Sequence, residues 1–351
     1  MKLIEPTTRT AAPGGTWRAH ARRAAHALTR PGPWRRGPVP TAVALALGLL
    51  LSAHSHLTDR GGVGSLVETF LPWSGVCVPV LLGVALWRRS ASAVVAVLLP
   101  ALVWLHLFGP VFADKSRSGG DLTLVSHNVG AGNADPDGTA RALAASGADV
   151  LGLEEITPQA RGTYERALAR EYPHHMVLGT VGVWSRLPLT DTRRVDTEQD
   201  VGPLGDAKPA SVTLPANRAL RTTVTTARGP LTVYVAHLGS VRVTSAAGFD
   251  TGSRDRNARA LGDAIAEDRG ERVVLLGDLN GTVDDRALSP LTSRLRSAQD
   301  LAGQGFGFSW PAGLPVARID QILVRGVRAH DAWLLPETGS DHLPVAARVG
   351  W

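Results

Sequence analysis

Residues 272–280, Arg-Val-Val-Leu-Leu-Gly-Asp-Leu-Asn, carry the clearest structural signal in this chain of 351 residues. A short apolar run that ends at a glycine is typical of a buried strand. Because side chains alternate along a strand with a period of two, Asp278 and Asn280 should project from one face at its end. The tripeptide Ser-Asp-His at 340–342 supplies further polar groups near the C-terminus. We therefore expect a polar site at the end of this strand.

Four further apolar segments each carry a polar residue that a buried strand would not favour. They span residues 122–128, 149–155, 231–237 and 318–324. The first three end in Asn128, Glu155 and His237, whereas the fourth places Asp320 in mid-strand. An unpaired carboxylate is costly to bury in that position, so each strand is predicted to carry a chemical group.

Each of these groups has a simpler explanation when it is taken alone. Residues 278–280 fit an ordinary turn, Asn128 fits a turn at a strand end, and Glu155 fits a helix N-terminus. His237 could be a hydrogen-bonded core histidine, and residues 341–342 an ordinary polar loop. Five such coincidences in this order along one chain are improbable, so the joint pattern favours a site.

The motifs together resemble the endonuclease/exonuclease/phosphatase superfamily, the DNase I-like metal-dependent phosphoesterases, over about residues 120–351. The segments that carry the resemblance are Ser-His-Asn-Val at 126–129, Leu-Glu-Glu-Ile at 153–156, Val-Trp-Ser-Arg-Leu-Pro-Leu at 183–189, Ala-His-Leu at 236–238, Gly-Asp-Leu-Asn at 277–280, Arg-Ile-Asp at 318–320 and Ser-Asp-His at 340–342. The family more often has Gln where this chain has Glu154. That departure leaves open whether Glu154 shares metal binding with Glu155.

The resemblance implies a four-layer α/β/β/α sandwich and a hydrolase that cuts phosphoester bonds with Mg²⁺ (or Mn²⁺). Such a hard cation prefers oxygen ligands and needs only one or two carboxylates. Glu155 is the principal candidate ligand, and Asn128 and Asp341 complete or flank the set. Pattern alone, without the resemblance, predicts only an α/β or α+β domain.

The resemblance also implies catalytic roles for five residues. Asp278 and Asn280 would align water and phosphate, while His342 would act as general acid/base or stabilise the phosphate. Asp320 would hold the imidazole of His342 in one tautomer and keep it protonated, as in triads. His237 would face the phosphate from the opposite side as a second donor.

Several elements of the same segment are predicted from periodicity. Helices are expected at 140–146, 158–170 and 253–268, and strands at 176–184, 210–214, 220–226, 327–335 and 344–349. Residues 191–206 and the glycine-rich run 302–315 are expected to be loops over the active face, with plain surface loops as the alternative.

The first third of the chain contains three apolar stretches, at 41–57, 69–87 and 91–112, each about long enough to cross a bilayer. We therefore divide the chain into a basic, disordered cytoplasmic tail (1–40), a three-span transmembrane region (41–113) and an extracytoplasmic metal-dependent phosphoesterase domain (114–351). The alternatives are buried soluble helices for all three stretches and a cleaved signal peptide for the first.

Orientation follows from the positions of the basic residues. Residues 1–40 hold Lys2 and seven Arg against the single Glu5, and the link after the second stretch carries Arg88 and Arg89. The positive-inside rule then places the N-terminus in the cytoplasm and the catalytic domain outside the cell. Cleavage after the first stretch would not change this, because the Arg88 turn alone orients the remaining pair.

Charge bears on the substrate. The whole chain has a net charge of +6, but residues 115–351 contain 26 basic and 27 acidic side chains, a net charge of −1. A nuclease usually carries a basic footprint on the domain that holds nucleic acid, so this balance disfavours a nucleic-acid partner. The only cysteine, Cys77, lies in the second apolar stretch, which leaves no disulfide.

The sequence thus predicts a multi-pass cell-membrane phosphoesterase acting outside the cell, with the lipid bilayer and a phosphorylated, lipid-linked or phospholipid substrate as partners and no obligate protein partner. The architecture is also similar to actinobacterial membrane phosphoesterases associated with teicoplanin resistance, for which undecaprenyl pyrophosphate is a candidate substrate. The alternatives are an extracellular nuclease on the same fold and a non-catalytic surface binding module.

Overall fold

The computed structural model describes residues 31–197, 218–244 and 248–351. The chain divides into two compact units. One comprises Met1–Ala53 and Trp73–Leu107, and the other comprises His54–Pro72 and Phe108–Trp351. The segment between the first two apolar stretches therefore belongs to the same unit as the predicted catalytic domain.

The helices and strands of the described residues have the following bounds. The helices are α1 (Pro31–Arg35), α2 (Pro38–Ala53), α3 (Val63–Thr69), α4 (Cys77–Trp87), α5 (Ala91–Phe108), α6 (Pro136–Ala145), α7 (Pro158–Leu168), α8 (Gly252–Glu267), α9 (Ser289–Thr292) and α10 (Ala298–Ala302). The strands are β1 (Leu122–Asn128), β2 (Val150–Glu154), β3 (His174–Leu178), β4 (Val181–Ser185), β5 (Leu189–Arg194), β6 (Ala219–Thr226), β7 (Gly229–His237), β8 (Arg242–Thr244), β9 (Gly248–Asp250), β10 (Val273–Asp278), β11 (Arg296–Ser297), β12 (Asp320–Arg325), β13 (Arg328–Leu334) and β14 (Val345–Gly350).

Two helical stretches, Pro38–His56 and Ala91–Phe112, are long and apolar enough to cross a membrane. Many of their large side chains are exposed, as lipid contact requires, and Leu49 and Leu102 are each 64% exposed. The predicted second span is interrupted, because a 3₁₀ helix at Leu71–Val76 precedes the eleven-residue α4. The second stretch forms a third span only if the bent pair of helices that contains it crosses the membrane as a single span.

The predicted tail 1–40 is described only from residue 31. There α1 forms, and α2 begins at Pro38, three residues before the predicted first stretch. A proline at the start of a helix is favourable because its missing N–H would have no intrahelical partner. Residues 1–30 lie outside the described part of the chain.

The second unit contains two six-stranded mixed sheets. The first sheet has the order β13-β14-β1-β2-β4-β3, and the second has the order β11-β12-β10-β7-β6-β5. The central pairs β1 with β2 and β7 with β10 are parallel. Parallel neighbours end at the same edge of a sheet, which places the ends of these four strands where a site can form.

The two sheets pack face to face and helices cover their outer faces. One apolar core joins Leu124 and Val150 of the first sheet to Val235 and Leu276 of the second. In a second apolar core, α6 and α7 pack against the first sheet. In a third apolar core, α8 packs against the second sheet. The sheets approach closely at Gly152, where an added Cβ would lie 2.9 Å from the Leu276 side chain. The four layers confirm the predicted α/β/β/α sandwich.

Local differences from the predicted elements have local causes. Helix α6 begins at Pro136 rather than residue 140, because the Asp135 side chain accepts a hydrogen bond from Gly138 N at 2.8 Å and caps it. The predicted strand 176–184 is a hairpin of β3 and β4 that turns at Gly179, whose φ is 71°. The predicted loop 191–206 starts inside β5, and residues 198–206 lie outside the described part, as does the strand predicted at 210–214.

Candidate active site

The predicted site residues meet at one end of the two sheets. In the first sheet, Asn128 at the end of β1 is paired with Glu154 at the end of β2. In the second sheet, Asp278 at the end of β10 lies between His237 of β7 and Asp320 of β12. The convergence predicted from strand ends is therefore present.

Asp278 lies at the centre of this cluster and is only 1% exposed. Its Oδ2 accepts a hydrogen bond from Asn128 Nδ2 at 2.9 Å, which joins the two sheets. Its Oδ1 accepts from the backbone N–H of Asn280, also at 2.9 Å. The Nε2 atoms of His237 and His342 lie 3.7 and 3.8 Å from Asp278 Oδ2. One carboxylate thus faces both imidazoles.

His342 is hydrogen-bonded to Asp320, the residue that the family resemblance implied as its partner. Its Nδ1 lies 3.1 and 2.9 Å from the two carboxylate oxygens of Asp320. Burial opposes protonation, but the negative charges of Asp320 and Asp278 outweigh it and raise the pKa of His342 to about 10. The ring is therefore an imidazolium at neutral pH, with Nδ1 fixed and Nε2 directed toward Asp278.

Ser309 is a member of this network that sequence reasoning missed. Its Oγ donates a 2.6 Å hydrogen bond to Asp320 Oδ2. The backbone of the same loop is tied to the segment around His342, since Leu343 N donates to Ser309 O and Ala312 N donates to Asp341 O, both at 2.8 Å. The predicted loop 302–315 therefore supports the Asp320 and His342 pair directly.

Glu155 lies immediately after β2, beside His237. Its Oε2 accepts a hydrogen bond from Ala131 N at 2.8 Å, and its Oε1 lies 3.8 Å from His237 Nε2. Its φ is 60°, a left-handed value that is uncommon for a residue other than glycine, and Asn280 shares this property with φ 49°. Strained backbone of this kind clusters at functional sites.

The two other predicted metal ligands differ in position. Asn128 is buried, and its Oδ1 accepts from Gly130 N at 3.0 Å. Asp341 is exposed at the rim, where its carboxylate contributes to the raised pKa of His342. The structure therefore brings Asn128 into the cluster and leaves Asp341 at its edge.

Donor chemistry tests whether the site fits a divalent cation. Donor atoms of Asp278, Asp320 and His342 lie within 4.8 Å of one another. His342 offers a nitrogen donor, and its Nδ1 is already hydrogen-bonded to Asp320. The oxygen donors of Glu155 and Asn128, beside the buried Asp278, fit a hard cation such as Mg²⁺ better. A cation there would also offset the buried negative charge.

Glu154 differs from a metal-binding carboxylate in its burial and in its pKa. It is fully buried, accepts a 3.1 Å hydrogen bond from Ser126 Oγ, and its Oε2 has no hydrogen-bond partner among the described residues. Burial and the nearby charges of Asp320 and Asp278 raise its pKa well above the usual range. The raised pKa favours the neutral form of the Glu154 carboxyl, which hydrogen-bonds like the amide that the family more often has there.

Two basic residues near the site received no role from the sequence. Burial lowers the pKa of Arg218, and the negative charges of Glu155 and Asp278 raise it by a smaller amount. His127 is buried beside the site with Nε2 2.7 Å from Thr338 Oγ1, and burial together with the charge of His342 lowers its pKa to about 3. His127 is therefore a neutral structural histidine.

Comparison with solved structures agrees with this fold. The chain is similar in fold to an endonuclease/exonuclease/phosphatase from Bacteroides vulgatus (17% identity, TM-score 0.51, 66% of this chain and 99% of the other). It is similarly related to the TDP2 of D. rerio complexed with single strand DNA product (18%, 0.52, 66% and 99%) and to the mannosyl-6-phosphatase Bt3783 of Bacteroides thetaiotaomicron (14%, 0.50, 66% and 100%). No curated protein matches the chain in sequence.

The family comparison covers the whole cluster. The model of the Endonuclease/Exonuclease/phosphatase family matches residues 125–342, more than half of the chain, from β1 through His342. Members of that family are hydrolases that act on phosphoester bonds. With its strand-end cluster and four-layer sandwich, this chain belongs to the endonuclease/exonuclease/phosphatase family.

Proposed function

We propose that the chain is a membrane-anchored, Mg²⁺- or Mn²⁺-dependent phosphoesterase that acts outside the cell on lipid-linked phosphates or pyrophosphates, or on phospholipid head groups. The observation that carries this proposal is the buried cluster of Asp278, His342 and Asp320 next to Glu155. Enzymes of this family typically depend on a divalent metal.

The metal would be held by Glu155 and Asn128, with Asp341 reaching in from the rim. When bound, it would neutralise phosphoryl oxygens and so favour attack by water. Asp278 would accept a proton from, or orient, the attacking water, and Asn280 would align water and phosphate beside it. The raised pKa of Glu154 disfavours the ionised form that would bind a cation, so Glu155 is proposed as the main carboxylate ligand.

His342 would deliver the positive charge and the proton. Its imidazolium presents Nε2–H to the phosphoryl group or to the leaving oxygen, while Asp320 keeps Nδ1 protonated and the ring oriented. His237 lies between Glu155 and Asp278 and would donate to a second phosphoryl oxygen. Such preorganised donors act strongly because the buried site excludes water.

The location rests on charge and on the helices that could span a membrane. The described part of the chain has two such stretches, and a third if the bent pair crosses as one. The positive-inside rule places both the 54–72 segment and the catalytic domain outside. The 54–72 segment and the catalytic domain belong to one compact unit. This supports the same location for both, because segments that pack together lie on the same side of a membrane.

The substrate class follows from anchoring and charge. An enzyme tethered at a bilayer meets lipid substrates at a high effective concentration. The net charge of −1 over residues 115–351 offers no overall basic surface for DNA. The resemblance inferred from the sequence to membrane phosphoesterases of teicoplanin resistance makes undecaprenyl pyrophosphate the first substrate to test.

A substrate panel tests the proposal. The detergent-solubilised full chain is incubated with undecaprenyl pyrophosphate, phospholipids and DNA, with Mg²⁺ or with EDTA, and phosphate or head-group release and DNA cleavage are measured. We expect lipid hydrolysis that EDTA abolishes. Preferential DNA cleavage that Asp278→Ala abolishes would establish the nuclease alternative instead. Absence of metal-dependent release from every ester would favour a binding module.

A further inference from the structure

A segment outside the family match packs against the catalytic machinery. Residues 54–72, which contain α3, belong to the compact unit of the catalytic cluster although about 200 residues separate them in sequence. The segment contributes three buried polar side chains, of which Ser65 and Glu68 are 0% and 1% exposed. The great majority of polar groups at that depth are hydrogen-bonded, so their partners indicate what the segment does.

Glu68 fixes the segment to the loop that follows β10. Its carboxylate accepts hydrogen bonds from Arg286 N and Nε, both at 3.0 Å, and its Oε1 forms an ion pair with Arg286 Nη2 at 2.8 Å. The same guanidinium donates to the backbone carbonyls of His54 and Ser55 at 2.8 and 3.0 Å. A charged pair with these additional hydrogen bonds is a specific attachment, unlike an exposed ion pair.

Ser65 extends this attachment toward the active site. Its Oγ donates to Asp285 Oδ2 and accepts a 2.9 Å hydrogen bond from Arg254 Nη2. The Arg254 side chain is fully buried, and its Nη1 donates to Asp285 Oδ2 at 2.7 Å. Ser65 therefore bridges the two members of a buried ion pair.

The chain of contacts ends at a catalytic candidate. Arg254 Nη1 also donates to the backbone carbonyl of Asn280 at 3.2 Å. Asn280 has the left-handed φ of 49°, its N–H donates to Asp278 Oδ1, and its Nδ2 donates to Leu238 O at 3.0 Å. Such a conformation persists only when its surroundings hold it, and Arg254 supplies one of the holding bonds.

We propose that the 54–72 segment completes the active site, with Ser65 and Arg254 as positioning residues that hold the Asn280 backbone and, through it, the Asp278 carboxylate. The proposal rests on the proposed phosphoesterase function for its kinetic consequence, but the structural coupling stands independently of the substrate. The segment between the first two apolar stretches is thus part of the enzyme as well as a connection between spans.

The test uses Ser65→Ala in the full, detergent-solubilised chain. This change removes one hydroxyl and keeps Arg254 paired with Asp285, whereas removal of Arg254 would leave a buried carboxylate unpaired and endanger the fold. Val63→Ala on the same helix is the matched control, because Val63 is 52% exposed. We expect kcat to fall about 10-fold in Ser65→Ala, with KM changed by less than about 2-fold, because small misplacements of reacting groups cost rate.

A double-mutant cycle separates positioning from general destabilisation. Arg254→Lys keeps a positive charge beside Asp285 but removes the guanidinium nitrogens that bind Ser65 Oγ and the Asn280 carbonyl. In that background Ser65→Ala should cost almost nothing further, because its effect passes through Arg254. An equal loss of kcat in both backgrounds, or wild-type kcat in Ser65→Ala, would overturn the proposal.

Hydrogen exchange gives a readout that needs no activity. Peptides covering residues 278–286 should exchange faster in Ser65→Ala than in wild type or Val63→Ala, since the bonds that hold this turn are weakened. Unchanged exchange there would refute the coupling. A wild-type chain inactive on every ester would instead refute the proposed function, while the exchange result would still decide the coupling.

Discussion

Replacing Asp320 with Asn removes the charge that keeps His342 protonated while preserving the shape of the pair. The introduced amide oxygen can still accept from His342 Nδ1, and Ser309 Oγ can accept from the introduced NH₂ group. The variant therefore separates the electrostatic role of Asp320 from its role in orienting the ring. The expected change is in the pH dependence of turnover.

The magnitude follows from the geometry of the pair. Nδ1 of His342 lies 2.9 Å from the nearer oxygen of Asp320, so the two charge centres are close to 4 Å apart. At that separation and an effective dielectric constant of about 20, the attraction is about 4 kcal/mol. One pKa unit corresponds to about 1.4 kcal/mol, so this attraction accounts for about 3 units of the pKa. The pKa of His342 should therefore fall from about 10 to about 7 in the variant.

The assay is kcat/KM against pH with the preferred substrate, because this ratio reports groups of the free enzyme. A general acid is active only while protonated, so the high-pH limb should begin about 3 pH units lower in Asp320→Asn. At pH 8.5 about 3% of the His342 imidazoles in the variant would be protonated. The ratio of the variant's kcat/KM to that of wild type should therefore be about 30-fold lower at pH 8.5 than at pH 6. Asp331→Asn, in the edge strand β13 of the other sheet, should retain the wild-type profile. Superimposable high-pH limbs in Asp320→Asn and wild type would refute the reasoning.

Three further predictions concern individual groups. Glu155→Gln should weaken Mg²⁺ binding in calorimetry and abolish turnover with an unchanged melting temperature; wild-type affinity would exclude Glu155 as the main ligand. Glu154→Gln should leave kcat within about 3-fold of wild type, because a neutral carboxyl and an amide hydrogen-bond alike, and a loss above about 100-fold would show that an ionised Glu154 is required. The raised pKa of His342 stabilises the metal-free fold fully below its unfolded value of about 6.5 and loses that contribution as pH rises through about 10. Denaturant unfolding should therefore show stability falling from pH 7 to 10 in wild type and less in His342→Gln, and equal pH slopes would contradict the assignment.

The strands that carry the site could be predicted because their signals are local. The runs that became β1, β2, β7 and β10 are apolar, short and end in a polar residue. Their convergence follows once the strands pair, since neighbouring ends share an edge. The four-layer arrangement needed the family resemblance, because periodicity alone does not say which faces of two sheets meet.

Other features depend on contacts between distant residues and left no local signal. Ser309 lies in a glycine-rich loop, and nothing in its neighbours indicates that it binds Asp320. Glu68 lies in a short link between two apolar stretches, and its partner Arg286 lies 218 positions away. No pattern in the sequence sets Arg254 apart from the other arginines, although it is among the largest fully buried side chains.

The second apolar stretch shows a limit of hydropathy as a guide. Residues 69–87 are apolar throughout, which predicts one span, but Pro72 and Gly75 lie where the 3₁₀ helix replaces regular helix. Proline lacks the backbone donor that an uninterrupted helix needs at that point. Composition measures whether a segment tolerates lipid, but it does not say whether the segment forms one continuous helix.

The central claim is that carboxylates and an imidazolium converge to cleave a phosphoester with a divalent cation. Its most direct test is the Mg²⁺-dependent hydrolysis rate of the purified full chain compared with that of His342→Ala at equal melting temperature. We expect wild-type turnover that EDTA abolishes, and a loss of about 10²- to 10⁴-fold in the variant. Turnover that survives either EDTA or the loss of His342 would contradict the account.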